Sequence, residues 1–455
     1  MASCLFSFLL FVSLFPSIPA AVPTGLKVRV TDRAEDILKA FGLTFLDELL
    51  NKPFPDILVP VTQSINFNIK GSTFTHLSVN PHQAILRFQG GGVKIEIRDM
   101  NFAGNFQRDV KAYLLSLKGA GTFEGAGVSA TIGLDLNRNQ NGHLSVQMSD
   151  CRFQADQISV NLGGPLGVAV KTYDYFKSLF RGLFNNQLCP FIETYAMPKI
   201  NTMLESLTMV MKVNEDRDIN IDYSLSGNIA VTPHTLDIPF KGLVFRQGQN
   251  VDILFTSERK GTDLVFYDTD RMAFLGVSEF FFNSIGVVLY QSGTFHFERP
   301  ELTKLQKWGL SLAGIEFPLD VTFTEAPIIS ISPDGLSINV NALAQPLAKT
   351  KPVPLTCEGN VKIGINNRHL VFPSNNIKCK LRPTTVRGKA VKKPVNNGLK
   401  TFIQDLLDKG ILIPLPDGVD FTQGKIDYYN GYLVIGGNLG MTRVAREKVV
   451  KGFGR

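Results

Sequence analysis

Apolar and polar residues alternate over long stretches of this chain. Ile65, Phe67 and Ile69 alternate with Ser64, Asn66, Asn68 and Lys70, and Val93, Ile95 and Ile97 alternate with Lys94, Glu96 and Arg98. A period of two predicts strands with one face in a core and the other in water. Asn141-Gly142 separates the alternating run at 132–136 from that at 144–148, and Pro333-Asp334-Gly335 separates 329–331 from 336–340. Both are hairpin turn signals, so the expected sheets are antiparallel meanders.

Three segments break the rhythm. After Asp32, read as an N-cap with Glu35 three residues on, Ile37, Leu38, Phe41, Phe45, Leu46 and Leu49 fall at helical spacing until Pro53. A second helix, from about Val170 to Leu188, presents Tyr173, Phe176, Leu179, Phe180, Leu183 and Phe184, and continues past Pro190 to Leu207 with a kink. A third, Leu399 to Leu407, offers Leu399, Phe402, Ile403 and Leu406. The predicted class is α+β, with amphipathic helices embraced by curled sheets whose interior is either packed solid or hollow.

Composition supports a large dry interior. The 455 residues are 44% hydrophobic and 19% charged, which excludes a disordered chain and a coiled coil. Phe dominates the aromatics, 34 against 10 Tyr and 1 Trp, and brings apolar area without a polar handle. Leu5 to Phe15 is an apolar run followed by Pro16, Pro19, Ala20 and Ala21, the pattern of a secretory leader over residues 1–20. Export is therefore expected, with a mature chain starting near Ala21. Cys151, Cys189, Cys357 and Cys379 then remain, and four cysteines allow three pairings. Cys357 and Cys379 are equidistant from Arg368, in a polar stretch that reads as a hairpin turn, so they are expected to face each other, leaving Cys151 for Cys189.

The formal charge of +7 is concentrated. Residues 351–400 carry 11 Lys and Arg against 1 acidic residue. The densest part, Lys378, Lys380, Arg382, Arg387, Lys389, Lys392 and Lys393, is punctuated by Pro383, Gly388 and Pro394 and reads as an anion-binding loop for phosphate-bearing lipid or polysaccharide. Nucleic acid is a poor partner because no aromatic residue interleaves with these cations. Catalytic constellations are missing: the six His residues include no HExxH, Gly309 to Ala313 is one residue short of a GxSxG elbow, and Gly119 to Glu124 lacks the third glycine of a dinucleotide fingerprint. Binding is expected, not catalysis, and metal and cofactor sites are not expected.

Four stretches carry a family resemblance: residues 25–31; Asn186 to Pro190 followed by 221–225; Asp270 to Asn283; and Ile413 to Gly418 with Gly431 to Gly436. In order and spacing they resemble the bactericidal/permeability-increasing protein, lipopolysaccharide-binding protein and lipid transfer protein family. The resemblance implies an elongated boomerang of two barrel-like domains, over 21–240 and 271–455, joined by a central antiparallel sheet and the 241–270 linker region. Each barrel would wrap a long helix and hold phospholipid, and a disulfide would tie Cys151 to Cys189. The implied pocket walls are Ile37, Phe41, Phe45 and Leu49; Tyr173, Phe176, Phe180 and Leu183; and Leu399, Phe402 and Leu406.

Two functions follow from the resemblance. One is a secreted monomer that binds lipopolysaccharide and phospholipid in innate defence at Gram-negative outer membranes. The other is an extracellular phospholipid carrier or transfer protein acting at lipoprotein surfaces. One departure bears on the choice: the tip at 101–118, strongly basic in the antibacterial relatives, has only Arg108, Lys111 and Lys118 against Asp109.

Overall fold

The computed structural model describes residues 23–40, 42, 56–62, 65–112, 115–163, 181–182, 185–186, 188–214, 218–250, 252–255, 262–297, 319–346, 352–366, 369–371, 377–381, 411–412 and 419–442. In chain order the first half contributes β1 (Leu26–Thr31), the helix α1 described over 35–40, β2 (Ile57–Thr62), β3 (Ile65–Ser78), β4 (Ala84–Gln89), β5 (Gly92–Ala112), β6 (Leu115–Arg138) and β7 (Leu144–Asn161). There follow α2 (Met197–Glu205), β8 (Val210–Asn214), β9 (Ile219–Asp222), β10 (Ala230–Val231), β11 (Thr235–Phe240) and β12 (Leu243–Arg246). The second half begins with β13 (Ala273–Ser278), α3 (Glu279–Gln291), β14 (Thr294–Phe297), β15 (Leu319–Phe323), β16 (Ile328–Ser332), β17 (Gly335–Pro346) and β18 (Val353–Val361). It ends with β19 (Gly364–Asn366), β20 (His369–Val371), β21 (Ile377–Leu381), β22 (Ile411–Leu412), β23 (Val419–Tyr429) and β24 (Tyr432–Met441).

All pairings are antiparallel, and two sheets repeat one plan. The first runs β2-β3-β5-β6-β7 with β4 added to its middle strand; the second runs β14-β15-β17-β18-β21 with β16 added to its middle strand. Between them lies a sheet ordered β10-β11-β1-β13-β24-β23, three strands from each half meeting at the β1–β13 ladder. Two three-stranded sheets, β12-β9-β8 and β19-β20-β22, complete the set among the described residues. Among the described residues no sheet closes into a ring.

The main core lies under the central sheet, where Leu26, Leu275, Val277, Leu433 and Ile435 pack against Phe281, Phe282 and Val288 of α3. That helix is apolar nearly all round, so it is buried and lacks the one-sided stripe that made the other helices legible. The opposite face of the sheet is covered by an extended segment inside the 241–270 stretch. Lys27 Nζ donates to the Leu264 carbonyl at 3.1 Å and Arg29 to the Phe266 carbonyl at 3.2 Å. Arg29 also chelates Asp237 at 2.7 and 2.8 Å and stacks 4.9 Å over the Phe266 ring. Gly276 makes room, since a Cβ there would lie 3.2 Å from Phe266 and 3.3 Å from Leu264.

Three expectations need correcting. Asp32 is not the N-cap of the first helix: it opens a 3-10 turn after Thr31, and its carboxylate meets His234 Nδ1 at 2.8 Å. The predicted kink at Pro190 is displaced, because residues 188–191 stay helical and the irregularity is a π-helical turn at Ile192–Ala196. Pro198, at the start of α2, has no N–H to donate and would collide with an ordinary helical turn, which a wider turn relieves. Finally, Lys378 and Lys380 lie in β21, not in a loop. The third predicted helix and the secretory leader lie outside the described residues.

Candidate functional site

The inner face of the first-half sheet is apolar along its length. Phe67 and Ile69 on β3, Ile97, Phe102 and Phe106 on β5 and Val128 on β6 are all buried. At the far end of the β5–β6 hairpin the register sets Phe102 opposite Gly125, Gly104 opposite Phe123, Phe106 opposite Gly121 and Arg108 opposite Gly119. Each large side chain lies down over a glycine: a Cβ at Gly121 would sit 2.5 Å from the Phe106 ring, and one at Gly104 would sit 2.1 Å from that of Phe123. Together they make an apolar floor of unevenly tilted rings: Phe106 and Phe123 stack at 29°, Phe102 is inclined by 61° to Phe123, and Phe74 stands edge-on at 5.3 Å from Phe102 and 5.4 Å from Phe123. The glycines at 119–125, which by sequence were only a near-miss of a dinucleotide fingerprint, belong to this floor, and the tip stretch 101–118 lies largely in β5 and β6.

Arg108 ends the floor and is 8% exposed. Its guanidinium donates to the carbonyls of Leu162, Gly163 and Leu117, joining the hairpin to the end of β7. It is therefore not a surface cation of the tip, as the charge count assumed. The outward tip charges that remain, Lys111, Lys118 and Asp109, nearly balance, and Asp109 accepts a hydrogen bond from Ser116 at 2.7 Å.

The helical chain leading into α2 is fastened along the free edge of β7 at three points. Asn201 accepts from Val146 N–H at 2.8 Å and donates to the Val146 carbonyl at 2.9 Å, imitating a neighbouring strand. Cys151 is disulfide-bonded to Cys189, and Asn185 accepts from Ala155 N–H at 3.3 Å. Strand positions 146, 151 and 155 thus meet helix positions 201, 189 and 185, so helix and strand run antiparallel. Between the ties Ile192, Ala196 and Met197 pack on Ile132, Leu134, Met148 and Phe153.

A second clasp is repeated in both halves. Glu35, in the first turn after β1, accepts the Leu86 N–H of β4 at 3.2 Å. Glu279, in the first turn after β13, accepts the Ile331 N–H of β16. β4 and β16 hold the same position in the two duplicated sheets, so each half ties its added strand to its helix by one carboxylate. The capping-box reading of Glu35 fails because the side chain reaches across to β4. In the second half Asn283 adds a bond from Ile329 N–H at 2.9 Å, and burial raises the Glu279 carboxyl above its ordinary range, against the pull of the Ile331 N–H.

Of the sequence-predicted pocket walls only Ile37 is described, and it is buried on α1. Phe41, Phe45, Leu49, Tyr173, Phe176, Phe180, Leu183, Leu399, Phe402 and Leu406 lie outside the described residues. Its neighbour Leu38 packs with Leu86, Phe88 and Leu236, so α1 starts where the first-half sheet meets the central sheet. Lys378 is exposed on β21, and Arg382, Arg387, Lys389, Lys392 and Lys393 lie outside the described residues. Cys357 is buried and disulfide-bonded, with Cys379 directly opposite it in the β18–β21 register. The hairpin between them is divided, since β19 and β20 pair in a different sheet. No group of His, Cys, Asp and Glu able to hold a metal ion is found among the described residues.

Two antiparallel sheets of one plan joined by a shared sheet make the frame, and the comparisons put the chain in a family of lipid-binding and lipid-transfer proteins. The models of the N-terminal and C-terminal domains of the LBP / BPI / CETP family match residues 38–207 and 214–306, and the chain belongs to that family. It is 26% identical to the phospholipid transfer protein of Mus musculus, with 97% of this chain and 95% of that one covered. To the lipopolysaccharide-binding protein of Homo sapiens it is 22% identical, with 96% and 98% covered. A crystal structure of lipopolysaccharide binding protein shares the fold, with a TM-score of 0.57 at 19% identity over 93% of this chain and 100% of that one. No described helix is long and apolar enough to cross a membrane.

Proposed function

We propose that this protein is a secreted phospholipid carrier and transfer protein, each half enclosing phospholipid acyl chains between its curled sheet and its helices. Each buried methylene contributes about 0.8 kcal/mol, so a ~16-carbon chain needs an apolar surface worth on the order of 12 kcal/mol. The Phe and Gly floor supports that reading, because its rings supply apolar area and the facing glycines leave room for them.

The observation that favours carriage over recognition of lipopolysaccharide is the inward turn of Arg108. With it removed from the surface, the tip has no cluster of cations to meet lipid phosphates. Lipopolysaccharide binding is the second reading, and what favours it is the excess of 11 basic against 1 acidic residue over 351–400. Mass spectrometry of lipids extracted from the purified protein, with transfer of labelled phosphatidylcholine between neutral vesicles, separates the two. Co-purified phospholipid and transfer insensitive to salt are expected. Lipid-free protein, or binding confined to lipid A and abolished by salt, would overturn the carrier reading.

A further inference from the structure

The apolar floor of the first half ends on a charge. Arg108 follows Phe102, Gly104 and Phe106 at intervals of two along β5, so its side chain leaves the strand on the same face. Its cross-strand neighbours are Ile69 of β3 and Gly119 of β6, and Ile69 and Val110 are buried beside it. A Cβ at Gly119 would lie 2.6 Å from Arg108 Nη2 and 2.8 Å from Cζ, so the glycine is what lets the guanidinium lie down on the sheet. From Phe102 to Arg108 the strand runs roughly 20 Å. It runs away from the central sheet, which meets the other end of β5 where Val93 packs with Leu236 of β11.

A guanidinium is always charged and carries five N–H groups. Three of those of Arg108 go to the carbonyls of Leu162, Leu117 and Gly163, which leaves two, one on each terminal nitrogen. Carbonyls satisfy donors without neutralising the charge. Among the described residues no carboxylate pairs with it: Asp109, next in the strand, faces the other side of the sheet and accepts from Ser116. An interior cation without a counter-ion is costly, and it holds an anion more strongly than a cation in water does.

We propose that Arg108 anchors the carboxylate of a single-chain fatty acid laid along the Phe and Gly floor, its head at the β5–β6 turn and its tail toward the central sheet. This rests on the carrier reading and adds a ligand class to it. The two remaining N–H groups match the two oxygens of a carboxylate. A carboxylate also ends its chain, so it fits where the floor ends. A phospholipid phosphate sits between two chains and a headgroup, all of which would have to pass the same point.

Partition of labelled oleate and methyl oleate from phosphatidylcholine vesicles into the full chain tests this, with phosphatidylcholine uptake followed in parallel. The ratio of oleate to methyl oleate taken up should fall about tenfold or more in Arg108→Met. A ratio is insensitive to the share of variant that folds, because both compounds need the folded floor. In the native protein the carboxyl of 13C-labelled oleate should stay ionised to a lower pH than it does in the vesicles. An unchanged ratio, or a bound carboxyl that titrates as in the vesicles, would overturn the proposal while phosphatidylcholine uptake upholds the carrier reading. Labelled phosphatidate whose uptake falls in Arg108→Met as far as that of oleate would overturn it too, by giving the cation to lipid phosphate. A native protein that takes up none of these lipids would overturn both readings together.

Discussion

Single side chains decide the character of this molecule where charge and burial conflict. Among the described residues Arg108 has no carboxylate partner, and it is held by three backbone carbonyls. Replacing it with Met keeps the stem but leaves those carbonyls unsatisfied, and should cost about 1–3 kcal/mol in denaturant unfolding without altering the salt dependence of vesicle binding. A salt dependence that weakens in Arg108→Met would return the residue to the surface role that its place in the sequence suggested. Glu279 is the reverse case. Burial raises its folded-state carboxyl above the unfolded value, so the folded protein binds the proton more tightly. Stability from this group is therefore present at low pH and lost as pH rises from the ordinary carboxylate range through the raised folded value. Glu279→Gln keeps an acceptor for Ile331 N–H and carries no charge; its urea midpoint should exceed the native one at pH 7 and match it near pH 4.

At the scale of elements, the β7 edge shows how a helix stands in for a strand. Asn201→Ala removes both bonds to Val146 while the disulfide still holds the helix nearby, so a cost of about 1–3 kcal/mol and faster amide exchange around 144–148 are expected. Slow exchange retained there would show that the edge has other cover. The strands themselves were legible because alternation and turn residues act locally: Asn141-Gly142 and Pro333-Asp334-Gly335 do join β6 to β7 and β16 to β17. What was not legible is what side chains do between elements distant in sequence. Glu35 fits a local cap by spacing, yet its partner is 51 residues away. α3 escaped notice because a helix buried on all sides has no polar stripe to mark its period, and Phe281 and Phe282 read equally well as a buried strand. Asn185 and Asn201 carry no signal at all until β7 is known to be an edge.

For the whole molecule, the duplicated plan follows from one ladder. β1 lies between β11 and β13, pairing Leu26 with both Phe240 and Val277. It is the strand through which the first half meets the second, and the covering segment at 264–266 is bound to it through Lys27 and Arg29. That placement has a consequence in time. The chain leaves the ribosome from its N-terminus at about 5–20 residues per second, so β1 emerges roughly 10–50 s before its β13 partner does. Its other partner, β11, emerges only roughly 2–7 s ahead of β13 at that rate, so β1 waits first with both edges bare and then with one, until residues 273–277 arrive. During that interval the nascent first half is a sheet with an open side in a crowded compartment. Pulse-labelled chains halted before residue 270 should therefore be held by chaperones, and chains halted well past β13 should be released.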